Sequence, residues 1–405
     1  MPPTPKLDRA GTGHERRHST LPRWAWWNPI GAERPWTVGV EEEVMLLEPA
    51  GWTLVNRFDD VRAALPERLA AQTSAETHAC ALELAGRPHS AAAACAAELA
   101  DLRRMLAEAL DPLGLRAAVG GTHPSVLWNE IEASSGPRYD RIRASMRALG
   151  RREPTFALHV HVAVPGGDAA VRALAGLRGD LPLLLALSAN SPYWQGRDTG
   201  LASARVPIFS MFPRVGIPRH FDSYRDYVAA VDTLVRAGAV PDPSFLWWDA
   251  RLQPRLGTVE VRIMDGQARS AEAAALAALV QCLVLRHAEG GRRRERLTPE
   301  ALAENRFLAA RDGMDASFVA EEPARLRPAA ERLADLLDEC RPIALALGCK
   351  DELEAIGTLA GDPGHARQRA IGEADGLVAV AAELSAAFSP AGTGVGLSAG
   401  PSSTE

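Results

Sequence analysis

Three short stretches of this chain alternate ionisable and apolar residues with a period of two: Gly39–Val44 (GVEEEV), Leu158–Val162 (LHVHV) and Thr258–Ile263 (TVEVRI). Residues two apart on an extended strand share a face. Glu41 and Glu43 therefore project together, with Val40, Glu42 and Val44 on the other side. His159 and His161 project together opposite Val160 and Val162. Glu260 and Arg262 do so opposite Val259, Val261 and Ile263. A slip of one residue would turn every charge into a core. The pattern demands a sheet with one apolar face and one face turned to water or to a ligand. That favours antiparallel pairing over a doubly wound parallel sheet, whose strands are apolar throughout.

The remaining periodicity completes an α+β reading. Strands are expected over Thr37–Glu48, Cys80–Ala85, Leu115–Thr122, Ala157–Val164 and Gly257–Met264. Apolar residues at three- and four-residue spacing predict helices over Ala91–Leu110, Arg138–Leu149, Ser223–Arg236, Ala271–His287, Pro299–Ala310, Pro323–Leu347 and Gly364–Ala387. Residues 1–36 and 389–405 lack such a pattern and read as tails, with Trp24, Trp26 and Trp27 as an exception able to dock on the body. Residues 37–388 then form a single domain. Within it, Ser188–His220 has no clear period and is rich in Gly, Pro, Asn and Arg, as functional loops of that length usually are.

Composition narrows the function. A net charge of −6 argues against nucleic acid as a partner. The five scattered cysteines form no C-x-x-C pair, which fits a reduced, cytoplasmic protein rather than a zinc ribbon or a disulfide scaffold. Neither a leader-like apolar region nor an 18-residue apolar run is present, so no membrane span is expected. Lys6 and Lys350 are the only lysines, and there is no G-x-x-x-x-G-K-[ST] loop. Any phosphate chemistry must rely on arginine and metal.

A lone E-x-E or E-x-R is usually a solvated strand face. Several such strands in one sheet are different. Glu41, Glu43, Glu83, His159 and Glu260 would make a carboxylate–imidazole cluster, with Glu76 in the segment before Glu83. Such a cluster repels itself unless a cation neutralises it. Its oxygen-rich donors suit Mg²⁺ or Mn²⁺ better than zinc. Arg262 shares the face of Glu260, and a guanidinium fork matches phosphate oxygens. In LALSANSPYWQGRDTGLASARVPIF, the residues Asn190, Arg197, Thr199, Ser203 and Arg205 suggest a loop that grips a polar, anionic small molecule. His123 in GGTHPS is read equally as a site residue or a packed loop histidine.

Taken in order, GVEEEV, LEL (Leu82–Leu84), GGTHP, LHVHV, LLALSANSPYWQGRDTGLASAR, FPRVGIPRHF, WWDARLQPRLGTVEVRIMD and ENRFLAARDGM resemble the carboxylate–amine ligase (glutamate–cysteine ligase type 2) family over residues 37–388. The resemblance implies a glutamine-synthetase-like core: a curved antiparallel sheet, with helices outside, holding divalent metal between ATP and an amino acid. It implies metal ligation by Glu41, Glu43, Glu83, His159 and Glu260, catalytic roles for Arg262 and Glu43, and substrate binding by Arg205, Asn190, Arg197, Thr199, Ser203 and His161. Of the two histidines, His159 is the favoured metal ligand. The implied activity is ATP-dependent amide formation through an acyl phosphate, from glutamate and cysteine or another amine, with weak glutamate–cysteine ligase activity. A metal-dependent hydrolase and a non-catalytic amino-acid or nucleotide binder are the alternatives, and homo-oligomerisation is left open.

Overall fold

The structure is a computed structural model that describes residues 21–151, 154–290, 297–321 and 323–389. Its centre is an open eight-stranded sheet built from β1 (Val38–Glu48), β2 (Thr53–Leu54), β3 (Thr73–Ala75), β4 (Ala81–Ala85), β5 (Arg116–Ala118), β6 (Ala157–Ala163), β7 (Ala250–Gln253) and β8 (Thr258–Asp265). The strands run in the order β7-β8-β6-β1-β4-β3, with β2 and β5 also pairing with β1. Every pairing in this sheet is antiparallel.

The period-two pattern sorts the two faces as expected. Val38, Val40, Leu158, Val160, Val162, Val259 and Val261 are all buried in the main core. Helix Ser270–Ala288 packs in this core against Gly167–Leu177, Lys350–Gly361, Ala92–Leu110 and Ala329–Leu347. It is long and apolar enough to cross a membrane, but 89% of its apolar window is buried inside the protein. Glu42 is the one charge that β1 sends to the apolar side. It is fully buried and paired with Arg103 of helix Ala92–Leu110, at 2.6 and 2.9 Å. Arg103 also donates to the carbonyls of Gln267 and Ala268, so both charges are satisfied.

Several boundaries depart from the sequence expectation. The helix expected over Pro323–Leu347 starts at Ala329, because Ala324–Pro328 instead pairs with Ser317–Glu321 as a hairpin. A residue before proline disfavours the helical region, so Arg327-Pro328 marks the break. The helix expected over Gly364–Ala387 is two helices, Gly364–Asp375 and Leu377–Phe388, parted by Gly376 at φ 83°. Helices Gly167–Leu177, Leu181–Ser188 and Lys350–Gly361 were not anticipated.

Residues 21–36 are a docked strap rather than tail. Trp27 is buried, donates its indole N–H to the Val164 carbonyl at 2.9 Å, and meets Tyr224 edge-on at 5.7 Å. Trp24 donates to Asp232 at 3.1 Å. The Asn28 amide and side chain bond the Pro254 and Arg255 carbonyls, clamping the β7–β8 turn. Tryptophan thus supplies the apolar burial that the strap's polar residues cannot. The unpatterned stretches at residues 1–20 and 390–405 lie outside the described residues.

Candidate active site

The polar face of the sheet floors a cavity of about 680 Å³. Register decides which side chains meet there. Glu41 pairs across to His159, Glu43 to Glu83, Glu260 to His161, and Ser74 to Glu83. Cross-strand partners share a face, so the four alternating strands deliver their ionisable groups to one surface. Between β8 and β6 the pairing jumps from Val261↔Val160 to Met264↔Leu158. Arg262 and Ile263 together oppose His159, which is a bulge of one residue. Bulges re-aim side chains, and this one brings Arg262 Nη1 to 3.5 Å from His159 Nδ1.

Two sets of side chains could hold a cation. In each, one donor atom per residue lies within 4.8 Å of the others: Glu41, Glu83 and His159 in the first, Glu41, His161 and Glu260 in the second. His159 Nδ1 and Nε2 stand 3.6 Å from Glu41 and from Glu43. His161 Nε2 stands 3.4 Å from Glu41, while its Nδ1 is 3.0 Å from the Thr258 hydroxyl. The Nε2 atoms of both histidines are buried and lack a hydrogen-bond partner.

Charge divides this surface. Glu260 is compensated by the chain itself: Arg251 reaches it at 2.6 and 3.1 Å, Gln253 at 2.7 Å, and Arg262 contacts it directly. Burial pushes the Glu260 carboxyl up, but Arg251 and then Arg262 hold it well below the usual range. Among the described residues Glu83 has only the Ser74 hydroxyl, at 3.0 Å. Burial, and then the charges of Glu41 and Glu43, push Glu83 up to about 7. Burial, Glu43 and Glu83 likewise raise Glu76 well above its ordinary value. Burial also pushes Glu41 upward, but His161 and His159 hold it well below the carboxylate range. The edge formed by Glu76, Glu83 and Glu43 therefore carries more negative charge than the chain balances. That excess, the orphaned imidazole nitrogens and the oxygen-rich donors fit a hard divalent cation.

The long loop is placed differently from its expectation. Asp265, at the end of β8, is fully buried and accepts from the Ser191 hydroxyl at 2.6 Å, the Asn190 amide at 2.9 Å and the Ser203 hydroxyl at 3.0 Å. The Asn190 side chain bonds the Gly266 carbonyl and Gln368. Thr199 closes a turn onto the Pro192 carbonyl, and Arg197 is exposed on a short hairpin. The side chains of Asn190, Arg197, Thr199 and Ser203 do not line the cavity. Arg205 does: its guanidinium donates to the Ile263 and Arg262 carbonyls, stands 3.8 Å from Asp265, and keeps a buried, unpartnered Nε. The loop thus acts as a bracket for Arg205, with Asp265 as its hub. His123 is a packed loop histidine, bonded to the Trp52 carbonyl and the Val126 amide.

Asp265 and Glu76 are the residues the sequence undervalued. Asp265 lies one residue beyond the strand expected over Gly257–Met264 and carries no motif signal of its own. Glu76 lies seven residues before Glu83, in a segment whose short strand gave no periodic signal.

The chain matches the sequence profile of glutamate–cysteine ligase family 2 over residues 37–382. A relative from Rubrobacter xylanophilus, provisionally named glutamate–cysteine ligase 2-3, is 40% identical over 350 residues, covering 84% of this chain and 94% of its own. A second from that organism, likewise provisionally named 2-1, is 38% identical, covering 84% and 91%. In fold, the chain resembles a glutamate–cysteine ligase from Francisella tularensis crystallised with AMP, at a TM-score of 0.64, 14% identity and coverage of 88% and 89%. It also resembles part of a bifunctional glutathione synthetase from Pasteurella multocida, at a TM-score of 0.66, 14% identity and coverage of 87% and 52%. Profile match, near full-length relatives and fold agree: the chain belongs to glutamate–cysteine ligase family 2.

Proposed function

We propose that this ATP-dependent carboxylate–amine ligase transfers the γ-phosphoryl group of ATP to the side-chain carboxylate of glutamate, then exchanges that phosphate for an amine. The observation that carries the reading is one sheet face on which Arg262 stands between Glu260 and His159, beside carboxylates left short of positive charge. A divalent cation such as Mg²⁺ or Mn²⁺ would supply neutralisation of the phosphate charge here. Glu41, Glu43, Glu83 and His159 would hold it, with Glu260 and His161 forming the second ligand group around Glu41.

The chain's own groups then do the rest. Arg262 Nε carries no partner, and its bonds to Glu260 and His159 use Nη1, so the rest of the fork is available to phosphoryl oxygens. Arg205, braced by backbone carbonyls, grips the α-carboxylate of glutamate. The amine arrives as an ammonium and gives a proton to Glu76. Its nitrogen bonds the acyl carbon, the carbon–oxygen bond to phosphate breaks, and the nitrogen's second surplus proton passes to the departing phosphate, so that an amide and hydrogen phosphate leave. Most of the acceleration comes from positioning and fixed charge. Use of ATP and five free cysteines suit a cytoplasmic setting.

Hydroxylamine, a small and strong nucleophile, tests this reading whatever the natural amine. Purified protein with ATP, Mg²⁺, glutamate and hydroxylamine should yield γ-glutamyl hydroxamate and phosphate together. Both should vanish without ATP or with excess EDTA. A metal-dependent hydrolase would give neither hydroxamate nor ATP dependence, and that result would end the ligase proposal.

A further inference from the structure

Beyond the sheet, the cavity has an apolar side. Tyr139 and Ile142 come from helix Pro137–Met146, Phe209 and Phe212 follow Arg205, and Trp247 precedes β7. Phe209 and Phe212 lie 5.5 Å apart, and Phe212 and Trp247 5.8 Å. With Met146, Val240 and Phe245 these residues form an apolar cluster separate from the main core. It is a built wall, packed from behind and open to the cavity in front.

Register locates this wall relative to Arg262. The Arg262 amide donates to the Asp249 carbonyl, and Trp247 lies two residues further along, toward the Ala157 end of β6. Gln253, Leu256 and His161 lie on the other side of Arg262, toward the opposite end of the strands. Phosphoryl transfer needs the leaving and attacking oxygens roughly in line, so nucleotide and carboxylate occupy opposite sides of Arg262. The apolar wall shares its side with the negative edge. The Tyr139 hydroxyl donates to the Ala75 carbonyl, next to Glu76, and Phe156, Thr155 and Ala81 line the same end. Glu76 lies outside the two ligand sets, so its carboxylate repels a triphosphate and draws an ammonium.

We propose that the acceptor is a primary amine with an apolar or aromatic body, its nitrogen facing Glu76 and its body lying on Ile142, Phe209, Phe212 and Trp247, so that cysteine is a poor substitute. This inference rests on the ligase reading above. Cysteine would cover little of such a wall, and each methylene placed in an apolar pocket is worth about ten- to two-hundredfold in selectivity. The amine could be a free amine or an amino acid. Arg138, at the rim of this end, bonds the neutral Ser244 hydroxyl and lies over the Phe245 ring, so it remains open to a carboxylate.

The test compares kcat/KM for leucine, phenylalanine, isoamylamine, phenethylamine and cysteine, with hydroxylamine as the common reference. At least one apolar amine should exceed cysteine by about tenfold or more. A preference for the amino acids over the free amines, lost in Arg138→Met, assigns the carboxylate contact. Trp247→Ala should lower kcat/KM for the apolar amine, relative to hydroxylamine, by about ten- to a hundredfold. Phe209→Ala, at a half-buried position, serves if the tryptophan variant does not fold. Cysteine matching or exceeding every apolar amine overturns the proposal, and the unaltered enzyme alone decides this. A rise in KM for ATP with acceptor preference intact would put the adenine on the wall and also overturn it. Absence of hydroxamate would instead strike the ligase reading itself.

Discussion

Replacing Arg262 with lysine separates catalysis from architecture. The substitution keeps one positive charge and removes the planar fork. Its structural cost follows from what remains around Glu260: Arg251 still bonds that carboxylate at 2.6 and 3.1 Å and Gln253 at 2.7 Å. No buried carboxylate is orphaned, so the loss is that of one net hydrogen bond, on the order of 1 kcal/mol. A melting temperature within about 3 °C of the parent is expected for a domain of this size. The catalytic cost is larger, because the Nε and Nη2 donors that would meet phosphoryl oxygens vanish. Removing one such donor commonly slows turnover about a hundred- to a thousandfold, or roughly 3–4 kcal/mol. The assays are kcat by phosphate release, ATP affinity by calorimetry and melting by scanning fluorimetry. Near-parental kcat in Arg262→Lys would refute the phosphate role. A large fall in melting temperature with kcat preserved would make Arg262 a sheet strut.

Other residues give independent checks. Glu83→Gln should weaken Mn²⁺ binding, measured by electron paramagnetic resonance, by about tenfold or more, and unchanged affinity would remove Glu83 from the ligand set. His159→Ala should weaken Mn²⁺ binding more than His161→Ala does, and the reverse order would exchange the two roles. Burial pushes Glu98 up, but bonds from His89 at 2.8 Å and Arg87 at 2.6 Å, among others, hold it at about 2. A depressed carboxyl stabilises the fold above its unfolded value near 4.5 and loses that contribution as pH falls toward 2. Glu98→Gln should therefore cost about 1–3 kcal/mol at pH 7 and progressively less below pH 4.5, read by denaturant melts, whereas a pH-independent cost would contradict the linkage. A Cβ on Gly31 would stand 2.3 Å from the Val164 carbonyl oxygen and 2.8 Å from that of Gly257. Gly31→Ala should destabilise by about 1–3 kcal/mol, and an unchanged melt would mean the strap is not docked there.

Period-two alternation made the sheet legible because strand geometry leaves it no other solution. Once Glu41, His159 and Glu260 had to share a face with valines behind them, antiparallel pairing and a polar floor followed. Glu42 fitted the same rule, pointing to the apolar side where Arg103 meets it. Helix boundaries were less legible because the competing signals are single residues. Gly376 breaks an otherwise continuous apolar repeat, and the Arg327-Pro328 step ends a hairpin that helical spacing had absorbed. The strap was legible only through its tryptophans. Its polar composition resembles a tail, and the contacts that hold it down are long range and not visible as local periodicity: those of Trp24, Trp27 and Asn28, and the backbone of Ala25 and Trp36.

The loop from Asn190 to Arg205 shows where residue type misleads about role. Asn, Ser, Thr and Arg close together suggest a hand for a polar ligand, yet the same hydrogen-bonding groups also satisfy a buried carboxylate. Asp265 settles which applies: a carboxyl with no solvent exposure needs donors, and Ser191, Ser203 and the Asn190 amide supply them. Burial raises the Asp265 carboxyl, against the lowering effect of Arg205 and of the bonds from Ser191, Asn190 and Ser203. The bracket's chemical consequence lies in the last residue of the motif, Arg205. Arg205 is held by carbonyls of the bulged strand that carries Arg262, which fixes its guanidinium against that strand. Ser203→Ala should therefore act on glutamate through Arg205, without touching substrate. It should raise KM for glutamate severalfold, leave KM for ATP near parental and lower the melting temperature by a few degrees. Equal changes in both KM values would instead place Ser203 in the reaction's immediate surroundings, against the position the fold gives it.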